Sequence, residues 1–467
     1  MNQRREFLGA LAAAGLGLTL PGCGGGGGSS GDGTVVLHSE ISRLPVVPDT
    51  GANGSIGRVV VVGGGMSGAA MAKYLRLWGG TGVNVTLVER ERSYTTNISS
   101  NLVLNGSRQI SNLVFQYDRL RAYGVDVRTG DVTGITPSST GGSIRVGSAS
   151  LPYDRLVLAP GIDFDVIPGL ESQAAQDRVP HAWKAGVQTT TLRDQLRAMR
   201  AGGTFIIGIP PTPFRAATAP YERACIVADF FRSRNPSAKI IVLDANANFA
   251  GGAATFGAAF SGRFAGIITR IPSALVTAID ASVTPIRVAA SVTSSTGVVS
   301  QEVFLGDVVN AIPRQKAGAI VTGTGLNLTA GGRFAPVNVL SYESTQVPGI
   351  HVVGDSCSAV VGDPLGAVRL PKAGHMGNQQ GKIGADAIVR LLQRQPLDPS
   401  PATATVGFSP ITADTASWFT TVYQAQTNPG APFTMVASRV GEAANPTGDN
   451  FENLFKWFGE LHADTLA

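Results

Sequence analysis

Three glycines and one acid are the first residues whose types and spacing could do chemistry. In RVVVVGGGMSGAAMAKYLRLWGGTGVNVTLVERE, Arg58 to Glu91, a short apolar run leads into Gly63, Gly65 and Gly68, and a second apolar run ends at Glu89, about 20 residues later. Gly63 permits a tight turn, Gly65 lets backbone approach a pyrophosphate, and Gly68 lets the following helix pack on its strand. The start of that helix offers free N–H groups and a positive dipole end to phosphates. Glu89, with Arg90 beside it, is placed to meet a ribose hydroxyl. The elements needed to hold these groups are a strand at Val59–Val62, a helix over Ser67–Leu77 and a strand at Val83–Val88, together a dinucleotide-binding unit.

Two later stretches point to the same nucleotide. YDRLVLAPGIDF, Tyr153 to Phe164, reads as a strand ending in a small-residue turn with Ala159 and Gly161. GIHVVGDSCS, Gly349 to Ser358, reads as another strand, ending in Gly354 and Asp355. Between them the strand–turn–helix–strand–acid layout repeats, with a strand at Thr204–Ile209, a helix over Tyr221–Arg232, a strand at Ile240–Leu243 and then Asp244. In this second unit Pro210 and Pro211 replace the glycines, which removes N–H donors and fixes φ. A pyrophosphate cradle is not expected there, so NAD(P)H is not the expected partner. The fold class is α/β, with two Rossmann-like dinucleotide-binding units and a small C-terminal cap.

Composition agrees with a globular chain. Charged residues make up 15%, against about 25% in an average domain. The net charge of +5 is spread along the sequence, with no basic run or basic–aromatic alternation to suggest nucleic acid. Nothing in the spacing of His, Cys and acidic residues resembles a metal site.

The first residues read as an address. MNQRREFLGALAAAGLGLTLPGC has Arg4 and Arg5 before an apolar run from Phe7 to Leu20, shorter than the ~20 residues that span a bilayer core. It resembles a twin-arginine export signal, and Leu20-Pro21-Gly22-Cys23 resembles a lipobox, with simple cleavage nearby as the alternative. Residues 1–22 are therefore expected to be a signal peptide and 23–55 a flexible tether. The expected location is periplasmic, with membrane contact only through a lipid on Cys23, which would hold the protein at the outer membrane.

The whole pattern resembles the flavoprotein subunit of flavocytochrome c sulfide dehydrogenase, a relative of the sulfide:quinone oxidoreductases. The blocks that carry the resemblance run in order over residues 57–395: VVVVGGGMSGAAMAKYLRL, YTTNISSNLVLNG, YDRLVLAPGI, PHAWKAGVQT, PYERACIVADF, NAIPRQKAG, ESTQVPGIHVVGD and LPKAGHMGNQQGK. NLFKWFGELHADTLA is similar to the family's terminal helix. The resemblance implies an FAD-binding domain in two parts, 56–170 and 305–395, around a degenerate NAD-like domain, 171–304, with a C-terminal domain at 396–467. It implies FAD as cofactor, with Asp355 reaching its ribityl chain and pyrophosphate, and a c-type cytochrome or other periplasmic acceptor as electron partner.

It also implies three functional cysteines, and this chain departs at each. Asn97, or Thr96, stands where the family bonds the flavin through a thiol, so FAD is expected to be non-covalent. The family's FRCPPGPYER reads FRAATAPYER here, with Ala216 for the first redox cysteine, and GWCPVD reads GRFAPVN, with Ala335 for the second. Cys225 and Cys357 read as small buried side chains, a bridge between them being the alternative. Lys372 matches a family lysine and is a candidate to stabilise charge on the reduced cofactor, while His375 is a candidate general base. Glu222 and Arg223 read as an ion pair fixing their helix, with a catalytic role as the alternative, and His181 and Trp183 read as structural. The loop SCSAVVGDPLGAVR, longer than in the family, is expected beside the flavin. The function expected is an exported FAD-dependent oxidoreductase passing electrons from a small donor to a cytochrome without a redox disulfide. The alternatives are an electron-carrying or non-catalytic subunit and a residual sulfide dehydrogenase.

Overall fold

The computed structural model describes residues 55–361, 368–426 and 434–467. The export signal, Cys23 and nearly all of the tether lie outside these residues, as do residues 362–367 in the middle of the long loop.

The chain runs through β1 (Gly57–Val62), α1 (Met66–Gly79), β2 (Val83–Glu89), β3 (Asp126–Thr129) and β4 (Arg155–Leu158). It continues as β5 (Thr204–Ile209), α2 (Ala219–Arg234), β6 (Lys239–Asp244), β7 (Ile268–Pro272) and β8 (Val308–Ala311). Then come β9 (Ile350–Val352), α3 (Gly374–Leu392), β10 (Thr403–Pro410), β11 (Ala416–Gln426), β12 (Thr434–Glu442) and α4 (Gly448–Leu466). The first sheet is parallel throughout, in the order β9-β4-β1-β2-β3. The second is also parallel, in the order β7-β6-β5-β8. Val59 to Val62 are all buried, as a strand with both faces covered requires.

One expected boundary needs correction. The limit at 305 assigns β8 to the returning part of the first unit, but Val308–Ala311 pairs with Phe205–Gly208 of β5. The chain leaves the second sheet only after Ala311. A buried parallel strand looks alike in either sheet, so its apolar run does not say which one it joins. Antiparallel sheets at 132–153 and 274–306 extend the two units.

α1 is buried almost all round because its sheet, α3 and α4 all pack on it. Glycines on α3 set that approach: a Cβ at Gly381 would lie 2.6 Å from the Ser67 carbonyl oxygen, and one at Gly384 2.4 Å from Met71 Cε. The same closeness brings the end of β9 to the start of α1, where a Cβ at Gly354 would lie 2.3 Å from Ser67 Oγ. β10, β11 and β12 form an antiparallel meander. α4 docks back on the first unit, with Asp464 accepting from Tyr74 Oη and from Asn378 Nδ2 and pairing with Lys382. No described helix is long and apolar enough to cross a membrane.

Candidate functional site

The glycine turn and the start of α1 open into a cleft of about 1200 Å³, which the turns after β4 and β9 also line. That is where ligands sit in open α/β sheets, beyond the carboxyl ends of the strands. Gly63 has φ +102°, and a Cβ there would lie 2.3 Å from the Ala159 carbonyl oxygen. A Cβ at Gly68 would lie 1.9 Å from the Gly63 carbonyl oxygen. At Gly65 the nearest atom to an added Cβ is 3.7 Å away, on Tyr94. Space is therefore left ahead of α1, whose N-terminus has no side-chain cap. Glu89 stands beside this turn, its Oε2 accepting from Gly64 N at 2.6 Å and its Oε1 from Glu91 N at 3.1 Å. Arg90 lies on the exposed rim, paired with Asp131 at 3.4 Å. Ala159 and Gly161 form the opposite wall, where Ser356 Oγ donates to the Gly161 carbonyl. Gly354 N donates to Gln380 Oε1 at 2.7 Å, which turns Asp355 into the cleft.

These residues fit FAD. The glycine turn and the uncapped helix start suit a pyrophosphate. Two further buried polar atoms on the wall, Ser99 Oγ and Trp183 Nε1, have no protein partner, a feature that folded proteins reserve for ligand or water contacts. Asn97 also lines the cleft, its Oδ1 accepting from Ala185 N at 2.8 Å. It thereby fixes the PHAWKAG segment to the loop that follows β2.

The structure gives Lys372 and His375 roles narrower than their residue types suggest. Lys372 Nζ donates to the carbonyls of Asp355 and Cys357 at 2.8 and 2.6 Å and sits 3.7 Å above the Phe334 ring. It holds the backbone that presents Asp355. His375 needs a correction. Val406 N–H donates to its Nδ1 at 2.8 Å, so the neutral ring carries its proton on Nε2. Burial also pulls its pKa down to about 4. Its Nδ1 lone pair is occupied by that amide, and its Nε2 lies 3.5 Å from Gln379 Nε2 on the same helix, so the ring is engaged structurally.

Glu222 and Arg223 are joined through Asn101. Asn101 Nδ2 donates to Glu222 Oε1 at 2.8 Å, and Arg223 Nε donates to Asn101 Oδ1 at 2.9 Å. The expected ion pair is thus relayed by an amide. Arg223 also donates to Asn310 Oδ1 at 2.7 Å and to the carbonyls of His181 and Ala182. These bonds fasten the PHAW and PYER segments to each other. Burial pushes the Glu222 carboxyl up to about 7, against the downward pull of its Asn101 hydrogen bond and of Arg223.

The sign of this shift makes a prediction. A carboxyl raised from 4.5 to about 7 in the native state holds a proton that the unfolded chain has released. Its stabilising contribution is complete below pH 4.5 and disappears as pH rises through 7. Glu222→Gln should therefore match wild type in acid and become the more stable protein above pH 7, by up to about 3 kcal/mol. Thermal melts across that range read the difference, and parallel melting curves would remove Glu222 as a titrating group.

Two residues of the cleft escaped the sequence reading. Arg215 is half-buried on the wall and paired with Asp355 at 3.8 Å, and its only sequence signal is its place before Ala216. Asn101 had no signal, since its partners lie in α2. Ala216 itself lines the cleft with φ +55°, a conformation uncommon for alanine, and donates its N–H to the Lys372 carbonyl at 2.7 Å. Ala335 is buried and pairs with Cys357 in a short parallel ladder. Cys225 and Cys357 are both free and buried. In the second unit, Asp244 is fully buried and engaged by Tyr221 Oη at 2.7 Å, Arg270 at 2.8 Å and Asn246. It has no capacity left for a ribose.

Residues 57–206 match the family model of the pyridine nucleotide-disulphide oxidoreductases. Residues 189–313 match that of the central part of the sulfide dehydrogenase (flavocytochrome c) flavoprotein chain. In fold the chain is similar to the sulfide:quinone oxidoreductase of the hyperthermophilic bacterium Aquifex aeolicus, with 17% identity over 88% of this chain and 92% of that one and a TM-score of 0.67. It is also similar to a NAD-dependent persulfide reductase from A. fulgidus, with 16% identity over 87% and 77% and a TM-score of 0.55. A third is putidaredoxin reductase in its covalent complex with putidaredoxin, with 18% identity over 88% and 93% and a TM-score of 0.55. The two sheets, the glycine cradle and the family matches define the class: this is an FAD-dependent oxidoreductase built on two Rossmann-like units. Within that class, residues 189–313 are similar to the central part of the sulfide dehydrogenase flavoprotein chain, and the fold is similar to that of a sulfide:quinone oxidoreductase.

Proposed function

We propose that this protein is an exported flavoprotein that takes an electron pair from a small donor without a redox disulfide and passes it to a c-type cytochrome or another periplasmic acceptor. One observation carries the reading. Ala216, which stands where the sequence resemblance places the family's first redox cysteine, lines the cleft. The cysteines among the described residues are buried thiols, and burial pushes Cys357 up to about 11 and Cys225 well above its ordinary value. Thiolate is the reactive form, so neither suits attack on a substrate.

The donor must then meet the cofactor directly. Bound FAD supplies the acceptor for a hydride or an electron pair. The chain's own residues orient the donor and move its proton. Glu222, poised near neutral pH in the cleft, is the group placed to take or return one. With Asn97 and Thr96 in place of a thiol, the cofactor is held without a covalent link. The twin-arginine and lipobox resemblances support export and a lipid on Cys23 as the attachment to the outer membrane. The proline turn and the saturated Asp244 argue against NAD(P)H.

The test is an anaerobic titration followed by flavin absorbance, with acid precipitation of the same sample. The flavin should stay in the supernatant after acid. Neither sulfide nor NADH should bleach it, whereas a chemical reductant should. Rapid stoichiometric bleaching by sulfide would show that the sulfide chemistry survives without the cysteines and would overturn the proposal.

A further inference from the structure

A second cleft, of about 540 Å³, lies between the loop after the short helix Leu102–Asn105 and the helix Val187–Ala198. Arginine dominates its polar wall, with Arg108 on the loop and Arg193 and Arg197 on the helix. The one acid among its lining residues, Asp194, is engaged by Arg193 through two bonds, Nε–Oδ1 at 2.8 Å and Nη2–Oδ2 at 3.1 Å. That pair leaves two guanidinium groups for a ligand.

Arg108 is the unusual member. Its guanidinium lies 4.7 and 4.4 Å from the ring centres of Phe455 and Phe458. Its Nη1 is buried and has no hydrogen-bond partner. Burial lowers its basicity, and no carboxylate opposes that shift. Arg108 as a whole is half-buried and lines the cleft, and an unpaired guanidinium N–H is usually completed by a ligand or water. Arg197 rests on the backbone of Gly106, where an added Cβ would lie 2.7 Å from Nη2. The φ of +88° at Gly106 also favours glycine, so the backbone there both turns the loop and admits the guanidinium.

We infer that this cleft is a binding site for a small tetrahedral oxyanion of the phosphate or sulfate class, held between Arg108 and Arg197. Planar guanidinium forks bind such ions through paired charge-assisted hydrogen bonds. Ser111 adds a hydroxyl to the same wall. The site joins two segments that also serve the cofactor cleft. The loop continues from Ser99–Asn101, and the helix begins just after Gly186, all of which line that cleft. A bound ion would tie these segments together.

The test is isothermal titration of the purified full chain with inorganic phosphate and, separately, sulfate, each against chloride at equal ionic strength. At least one oxyanion should bind saturably. Arg108→Gln and Arg197→Gln should each weaken it roughly tenfold or more, with the flavin spectrum unchanged. Arg197 is exposed, so its variant keeps the test valid if the Arg108 variant fails to fold. If both oxyanions bind no better than chloride, or if Arg197→Gln binds as tightly as wild type, the inference is wrong.

Discussion

Gly68→Ala should yield a protein without FAD and with a weakened first unit. The added Cβ would lie 1.9 Å from the Gly63 carbonyl oxygen and 3.0 Å from Ala159 Cβ. The first of these is backbone, so no side chain can swing aside. Either the turn from Gly63 to Gly65 opens or α1 lifts from β1, and both remove the pyrophosphate cradle. Overpacking of this kind costs about 1–3 kcal/mol or more. Gly65→Ala separates the two effects. Gly65 has φ −74°, and the nearest atom to its Cβ is 3.7 Å away, so alanine is tolerated by the fold. The methyl group instead enters the space ahead of α1. This variant should give a normal circular dichroism spectrum with sharply reduced flavin content. Full flavin occupancy in Gly65→Ala would place the phosphates elsewhere.

Asp464→Asn should lower the unfolding free energy by about 3–5 kcal/mol, read by urea denaturation. Asp464 pairs with Lys382 at 2.6 Å, and the lysine side chain is only 1% exposed. Asp464 also accepts from Asn378 Nδ2 at 2.9 Å and from Tyr74 Oη. Burial alone raises the Asp464 carboxyl, and the charge of Lys382 with these hydrogen bonds brings it below its ordinary value. Lys73 lies in the same cluster, its pKa lowered to about 8 chiefly by burial, with the Asp464 charge opposing and the Lys382 charge adding to that. An asparagine would take the carboxylate from the buried Lys382 ammonium, while Lys73 would keep its bonds to the oxygens of Ala463 and Ala467 at the end of α4. The double variant Asp464→Asn with Lys382→Met should recover much of the loss, because removing a whole buried pair is far less costly than breaking one. No recovery would mean that the single substitution acts through packing.

The first dinucleotide unit was legible in the sequence because each of its signals is local. Gly63, Gly65, Gly68 and Glu89 lie within one strand–helix–strand stretch, where the backbone demands of a tight turn leave few residue choices. The second unit's lost glycines were legible for the same reason, since proline changes the backbone wherever it occurs. The alanine at 216 could likewise be read directly, as could the shortage of cysteines. Tertiary structure decided what depends on contacts far apart in the chain. Asn101 meets Glu222 and Arg223 across more than a hundred residues, and an isolated asparagine carries no periodic signal of such a partner. His375 looks like a base in sequence, but the Val406 amide takes its lone pair. Asp244 looks like a ribose ligand until Arg270 and Tyr221 close on it. Nothing local distinguishes β8 as a strand of the second sheet rather than the first. Backbone chemistry is written residue by residue, whereas the protonation, pairing and availability of a side chain are set by whichever groups the fold packs against it.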